Sequence, residues 1–488
     1  MRNPFIRWTL LILVLALTLP LPGTAQGADR LALQERDDWA GVYFKGRKLG
    51  FTHARITLEG KETVVHTQVY FRLSAGGVEQ TTIITQKTYL DAALRLRRFT
   101  LLQEIMGNRQ KVEGKVTGGR LAYRVATRGY DKGKSMEFPA DVYPASTVWL
   151  NLLDRGLAVG QSGRVKIFIE PFQRIVPMDY RILRKEPIEG NGGVRDVFVI
   201  EQKFAGMVST LWVTGEGTIL RENTAHGFES RHEVEAAARD LGTQPMSVSS
   251  FITLSLVPIR PPINSPQTLD ELELRIFNLP RADALPQDHR QTLLKVYPEP
   301  DNTYTARVRI RTEAENPPAG LRRPVQASLD NAEYLEEVPE IQARHGMIRA
   351  LAAEIVKDEP DAWRAALAIN RWVYTNLEKV LVDSFTALDA LHSRRGECQS
   401  HTNLFTALAR AAGIPAKVVN GLVYSRKYQG FLYHAWPEVY VGQWRSLDPT
   451  LGQAPADATH IKLSEGNYDG ALKLMEFIGQ IGIKLAEK

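Results

Sequence analysis

One cysteine, Cys398, stands in 488 residues, so the chain can close no internal disulfide. No block of Lys and Arg is long enough to track a phosphate backbone. The 61 basic and 55 acidic residues are interspersed, and a formal net charge of +6 argues for no nucleic-acid partner. No apolar run reaches the ~20 residues that a spanning helix needs. No internal repeat is visible. What is present is ordinary for a globular protein, with 44% hydrophobic and 24% charged residues. The length exceeds what one core can organise, so two or three domains are expected.

Residues 1–27 read as an export signal. Arg2 and Arg7 supply the positive end, Trp8 to Leu19 the apolar stretch, Pro20 and Pro22 a break, and Gly23 to Ala28 small residues for cleavage. The expected location is periplasmic or secreted, with no stable membrane span once the signal is cut. In an oxidising compartment an unpaired thiol is a liability. Burial in apolar surroundings is its ordinary explanation, yet Arg395, Glu397, Gln399 and Ser400 surround this one.

Residues 28–250 read as a β-rich domain. Val42–Phe44 and Leu49–Phe51 flank a turn at Lys45–Lys48, and further alternating segments follow at 63–71, 81–85, 94–97, 121–125, 165–169, 180–183 and 197–200. Leu211–Val213 and Thr218–Arg221 form a last hairpin, and one helix covers Ser146–Leu157. Many antiparallel strands with short turns predict a curved sheet or open barrel. The run from Trp39 to Arg221 resembles, without any chemical motif, the half-barrel domains of exported bacterial proteins. A short helix at Glu233–Leu241 and a strand at Ser247–Leu256 close this part.

Residues 251–325 read as a proline-rich linker with a small β unit ending at Tyr304–Ile310. From residue 326 to 488 the pattern turns to α+β. Amphipathic helices at Ile341–Val356 and Ala362–Leu377 precede a third from Cys398 to Ala412, stopped by Gly413 and Pro415. Strands follow at Ala416–Val423, Leu432–Val441 and Trp444–Leu447, with a last apolar segment near Leu474–Leu485.

Cys398 at a helix start is placed for chemistry, because free N–H groups and the helix dipole favour a thiolate over the ordinary thiol of pKa about 8.5. Gly396 leaves room for a substrate backbone, and the Cys398 N–H is a candidate oxyanion donor. Such a thiol needs an imidazole base and a group to orient it. His434 and Asp448 are the candidates. Alternation puts His434, Trp436 and Glu438 on one strand face. Asp448 shares that face only if the hairpin loop is odd, as with Val441-Gly442-Gln443, which pairs Trp436 with Asp448 and leaves Asp448 diagonal to His434. A Cys398–His401–His434 metal site lacks a fourth ligand, so no metal or other cofactor is expected. His401 is expected to be exposed or to cap the helix.

Arg395-Gly396-Glu397-Cys398, then Leu404 to Ala416, then His434-Ala435-Trp436, then Leu447-Asp448-Pro449-Thr450 together resemble the transglutaminase-like superfamily over about residues 325–465. The resemblance implies a papain-like α+β core, with Cys398 as nucleophile, His434 as base and Asp448 as its partner. It also implies thioester chemistry on protein or peptide amides. The family's upstream oxyanion side chain and the calcium sites of its animal members have no counterpart here. The competing expectation is a silent binding or scaffold module on the same fold.

Overall fold

The computed structural model describes residues 35–486, apart from 76–77, 106, 155, 191–192, 216, 225–226, 244, 248–255, 316–319, 329–330, 381–383 and 385. The export signal at 1–27 and most of the strand expected at Ser247–Leu256 lie outside the described residues. The chain divides into two compact units, the first holding residues 8–126 and 131–248 and the second residues 127–130 and 249–488.

The first unit is one 16-stranded, curled sheet. Its first strand, Arg36–Phe44, sits mid-sheet. From there the chain walks outward strand by strand to Tyr130–Glu137, then restarts at Val142–Pro144 on the far edge and returns inward. It closes beside its start, where Phe228–Glu233 pairs antiparallel with Arg36–Phe44. A sheet this wide must twist and curl, which gives it an inner face to fill. Alternation fills it: along Leu96–Ile105 every second residue from Phe99 onward is buried. Phe44, Phe71, Phe99, Phe168, Phe172 and Phe228 are fully enclosed. The expected helix appears as a 3-10 turn at Ala145–Thr147 followed by Val148–Asp154. Its Trp149 is buried and donates Nε1–H to Gln202 Oε1 at 3.1 Å.

In the second unit, the small β unit is completed from far along the chain. Its four-stranded sheet runs Gln291–Pro298, Tyr304–Arg311, Glu271–Leu279, Gly482–Leu485. The end of the segment read as a last apolar stretch of the α+β part, Gly482–Leu485, therefore serves the other sheet.

Among the described residues the second unit's α-helices are Gly346–Val356, Ala362–Asn376, Ala387–Ser393 and Cys398–Ala411, with Tyr468–Leu474 after the strands. Three have capping side chains that take up otherwise unpaired N–H groups, the first through His345 Nδ1, which accepts from Met347 N at 3.3 Å. Asp361 accepts from Arg364 N at 2.8 Å, and Thr386 from Asp389 N at 3.0 Å. Ile348, Ala352, Ile369, Val373, Leu404, Phe405 and Leu408 merge into one core. The strands form an antiparallel sheet in which Ala416–Ser425 lies between Gly430–Tyr440 and Ile461–Glu465. The cysteine helix is buried on every side from Cys398 to Ala409, so it is the central rod of this unit. Gly413 ends it at φ +76°, against Pro324.

Candidate active site

Cys398 is the first residue of its helix and is 3% exposed. Glu397 occupies the cap position without a side-chain capping bond. Two helix residues one turn apart grip a single residue of the neighbouring strand through its N–H and its carbonyl. Ala435 N donates to Cys398 Sγ at 3.3 Å, and Thr402 Oγ1 donates to Ala435 O at 3.0 Å. The grip holds the residue that follows His434 against the thiol.

Loop parity brings in Asp448. Tyr440 pairs with Trp444 and Glu438 with Ser446 across a three-residue loop, and Leu447 N donates to Pro437 O at 3.1 Å. Carried two residues on, that odd register sets Asp448 opposite Trp436 and diagonal to His434. Asp448 Oδ2 lies 2.8 Å from His434 Nε2. The bond holds the Nε2 proton, so Nδ1 is the basic nitrogen of the neutral ring. The three residues named from sequence thus meet on one helix start and one hairpin.

The carboxylate of Asp448 is fully engaged. Oδ1 accepts from Thr450 N at 2.7 Å and Leu451 N at 3.0 Å. Oδ2 is shared with a second imidazole, His460 Nε2, at 3.1 Å. His460 is fully buried, and its Nδ1 faces Asp457 Oδ1 at 3.2 Å. Burial alone would push the Asp448 carboxyl up, but the two imidazoles outweigh it and hold it well below the usual carboxylate range. Burial alone would lower His460, yet its hydrogen bonds to Asp448 and Asp457 push it up to about 9. Asp457 is held down at about 2 against its own burial, first by His460 and then by Thr459. Trp436 packs among these rings, with its centroid 6.2 Å from that of His434 and 5.1 Å from that of His460.

Sequence reasoning missed His460. Its one local signal is the run Asp457-Ala458-Thr459-His460 directly before an apolar strand. Two other expectations are corrected. His401 is neither exposed nor a cap: it is fully buried, with Nδ1 2.8 Å from the Glu397 carbonyl, and burial lowers its pKa. Gly396 does not leave space for a substrate, because a Cβ there would lie 2.3 Å from Ser400 Cβ. The glycine admits Ser400, whose Oγ accepts from Ser384 N at 3.2 Å.

His434, Asp448 and His460 offer ligand atoms within 4.8 Å of one another, a donor set that could hold a metal ion only by giving up both imidazole–carboxylate hydrogen bonds. Asp288, Glu438 and Glu465 form a second such group. There the Lys462 ammonium already fills the cation's place, at 2.6 Å from Asp288 and 2.8 Å from Glu438 and Glu465. Cys398 and His401 belong to neither group.

Residues 349–449 match the family model described as the transglutaminase-like superfamily. The chain carries a transglutaminase-like domain. The matched span contains Cys398, His434 and Asp448 and ends before His460. An uncharacterized protein of Mycobacterium leprae is 29% identical over 113 residues, which cover 21% of this chain and 40% of that protein. The kyphoscoliosis peptidase of Mus musculus is 31% identical over 88 residues, covering 17% and 13%. The chain thus spans less than half the length of these curated relatives. Among solved structures, a β-barrel-like protein of Brucella abortus aligns at 10% identity and a TM-score of 0.33, covering 40% of this chain and 94% of that one.

Proposed function

We propose that the transglutaminase-like domain, with a papain-like α+β core, is an exported thiol enzyme acting on amide bonds of proteins or peptides. Cys398 is the nucleophile, His434 the base and Asp448 the group that fixes the ring. One observation carries this reading: the Cys398 sulfur is bonded to the peptide next to His434, while Asp448 holds the far nitrogen of the same ring.

His434 Nδ1 takes the thiol proton, and the thiolate attacks the amide carbonyl. The Cys398 N–H, the first of its helix, is the donor offered to the oxyanion. Collapse breaks the C–N bond, the imidazolium gives its proton to the leaving amine, and a thioester remains. Water or an amine then attacks the thioester with His434 again as base, which yields hydrolysis or transamidation. The matched transglutaminase-like domain supports this chemistry class. The amino-terminal residues 1–27 support export.

The test is the rate of iodoacetamide alkylation against pH, with ammonia release from glutamine-containing protein and peptide cleavage measured alongside. The wild type should alkylate rapidly well below pH 8, and Cys398→Ala should remove all turnover. An ordinary thiol titration with turnover no greater than Cys398→Ala would leave a binding module in its place.

A further inference from the structure

The imidazole of His460 has no part in the three-residue mechanism, yet it shares an oxygen with it. We infer that His460 is a positioning residue for this site, locking Asp448 and dividing its charge between two imidazoles. The inference rests on the thiol-enzyme reading above.

Asp448 cannot turn. Its Oδ1 is committed to two backbone N–H groups, so Oδ2 alone faces the rings, and it contacts both. His460 is itself fixed from behind. Asp457 receives its Nδ1, and Asp457 is held in turn by Thr459 N, by Thr459 Oγ1 and by Gln453 Nε2 at 2.9, 2.6 and 2.8 Å. The next residue, Ile461, enters the central sheet opposite Leu422. A ring held by an anion on each side keeps both protons and is a cation.

That cation changes what Asp448 does to His434. A lone buried aspartate would stabilise the His434 imidazolium with its full charge, and a base that grips its proton too tightly is slow to return it to the leaving group. A second cation on the same oxygen offsets part of that pull. Among the described residues, the titratable groups facing this pair are few. Asp457 is on the loop of His460 itself, His434 is on the strand, and Cys398 is on the helix. His401 and Lys379 act on Asp448 through space. Lys462, two residues further on, turns to Asp288, Glu438 and Glu465.

His460→Gln removes the charge and keeps an amide that can donate to Asp448. Taking away one positive charge makes every neighbouring group hold its proton more tightly, so both limbs of the alkylation–pH profile should move to higher pH. At the 5.9 Å ring separation the move should be roughly one to two pH units. A purely structural role would lower the melting temperature and leave the profile in place. If His460→Gln does not fold, the wild type decides by itself: with ¹⁵N-labelled histidine, His460 should stay doubly protonated until about pH 9. An activated wild-type thiol combined with an unmoved variant profile, or with a His460 that titrates near 6.5, overturns this inference and leaves the enzyme reading intact. A wild-type thiol that is not activated sinks both.

Discussion

At the scale of single residues, the protein buries several ionisable groups and compensates them unequally. Asp448, Asp457 and Lys462 each have opposite charges in contact. Among the described residues, Glu170, in the first unit, has only neutral hydrogen-bond partners, Gln86 Nε2 at 2.9 Å and Ser146 Oγ at 3.3 Å. Burial therefore pushes its carboxyl up to about 7 from an ordinary 4.5, more than those hydrogen bonds pull it down. For an acid raised on folding, the folded state binds more protons than the unfolded one between those two values. Stability contributed by this site is highest below about pH 4.5 and falls until about pH 7, by on the order of 3 kcal/mol. Glu170→Gln keeps a carbonyl to accept from Gln86 and has no charge to bury. It should raise the melting temperature at pH 8 and change it little at pH 4.5, as calorimetry at the two pH values would record. An equal effect at both would show that the carboxyl is not neutral at low pH, or not penalised at high pH.

At the scale of elements, the site depends on the parity of one loop. Val441 to Gln443 set the register that puts Asp448 on the His434 face. The loop itself has room, since Gly442 sits at φ +97° and a Cβ added there would meet nothing within 4 Å, whereas one residue inserted between Ser446 and Leu447 shifts the chain beyond the last ladder pair by one. That shift turns the Asp448 side chain to the opposite face. Turnover should fall by about 10²–10⁴-fold, as expected when a base loses its orienting partner. A loss of less than tenfold with folding retained would show that the register is not what positions Asp448.

This hairpin was legible in advance because strand alternation and loop parity are local properties. The burial of His401 was not, since helical periodicity places a residue on a face without saying that every face is covered. His460 was missed for a related reason: Asp457 is its one partner nearby in sequence, while Asp448 and the ring of Trp436 reach it only through the fold. The strand Phe228–Glu233 escaped because it has one apolar residue among six and is defined by its pairing with Arg36–Phe44.

At the scale of the molecule, buried polar contacts bind the small sheet to the transglutaminase-like domain. Arg290 donates to Ser446 Oγ and to the carbonyls of Ala456 and Asp457 at 2.8, 3.1 and 2.8 Å. Gln291 exchanges two hydrogen bonds with the Lys462 backbone, both at 2.8 Å. These anchors touch the residues on either side of His460, so loosening the small sheet should reach the site. A chain ended after Gln480 lacks the strand Gly482–Leu485 and exposes the edge of Glu271–Leu279. It should be cleaved by protease in the second unit at least tenfold faster than the full chain, roughly the effect of 1.4 kcal/mol. Equal resistance would show that the strand is dispensable.

That strand also sets an order of events. On one edge of the small sheet, Leu274 and Ile276 pair with Leu485 and Ile483, and Asn278 bonds to the Gln480 carbonyl 202 positions later. During synthesis the small sheet must wait, that edge unpaired, while the entire transglutaminase-like domain is made. Contacts across such separations form slowly, because the entropy of closing the loop is lost before any pairing offsets it. Until Gly482–Leu485 docks, the second unit carries one open sheet edge, and its small sheet is complete only after that late pairing.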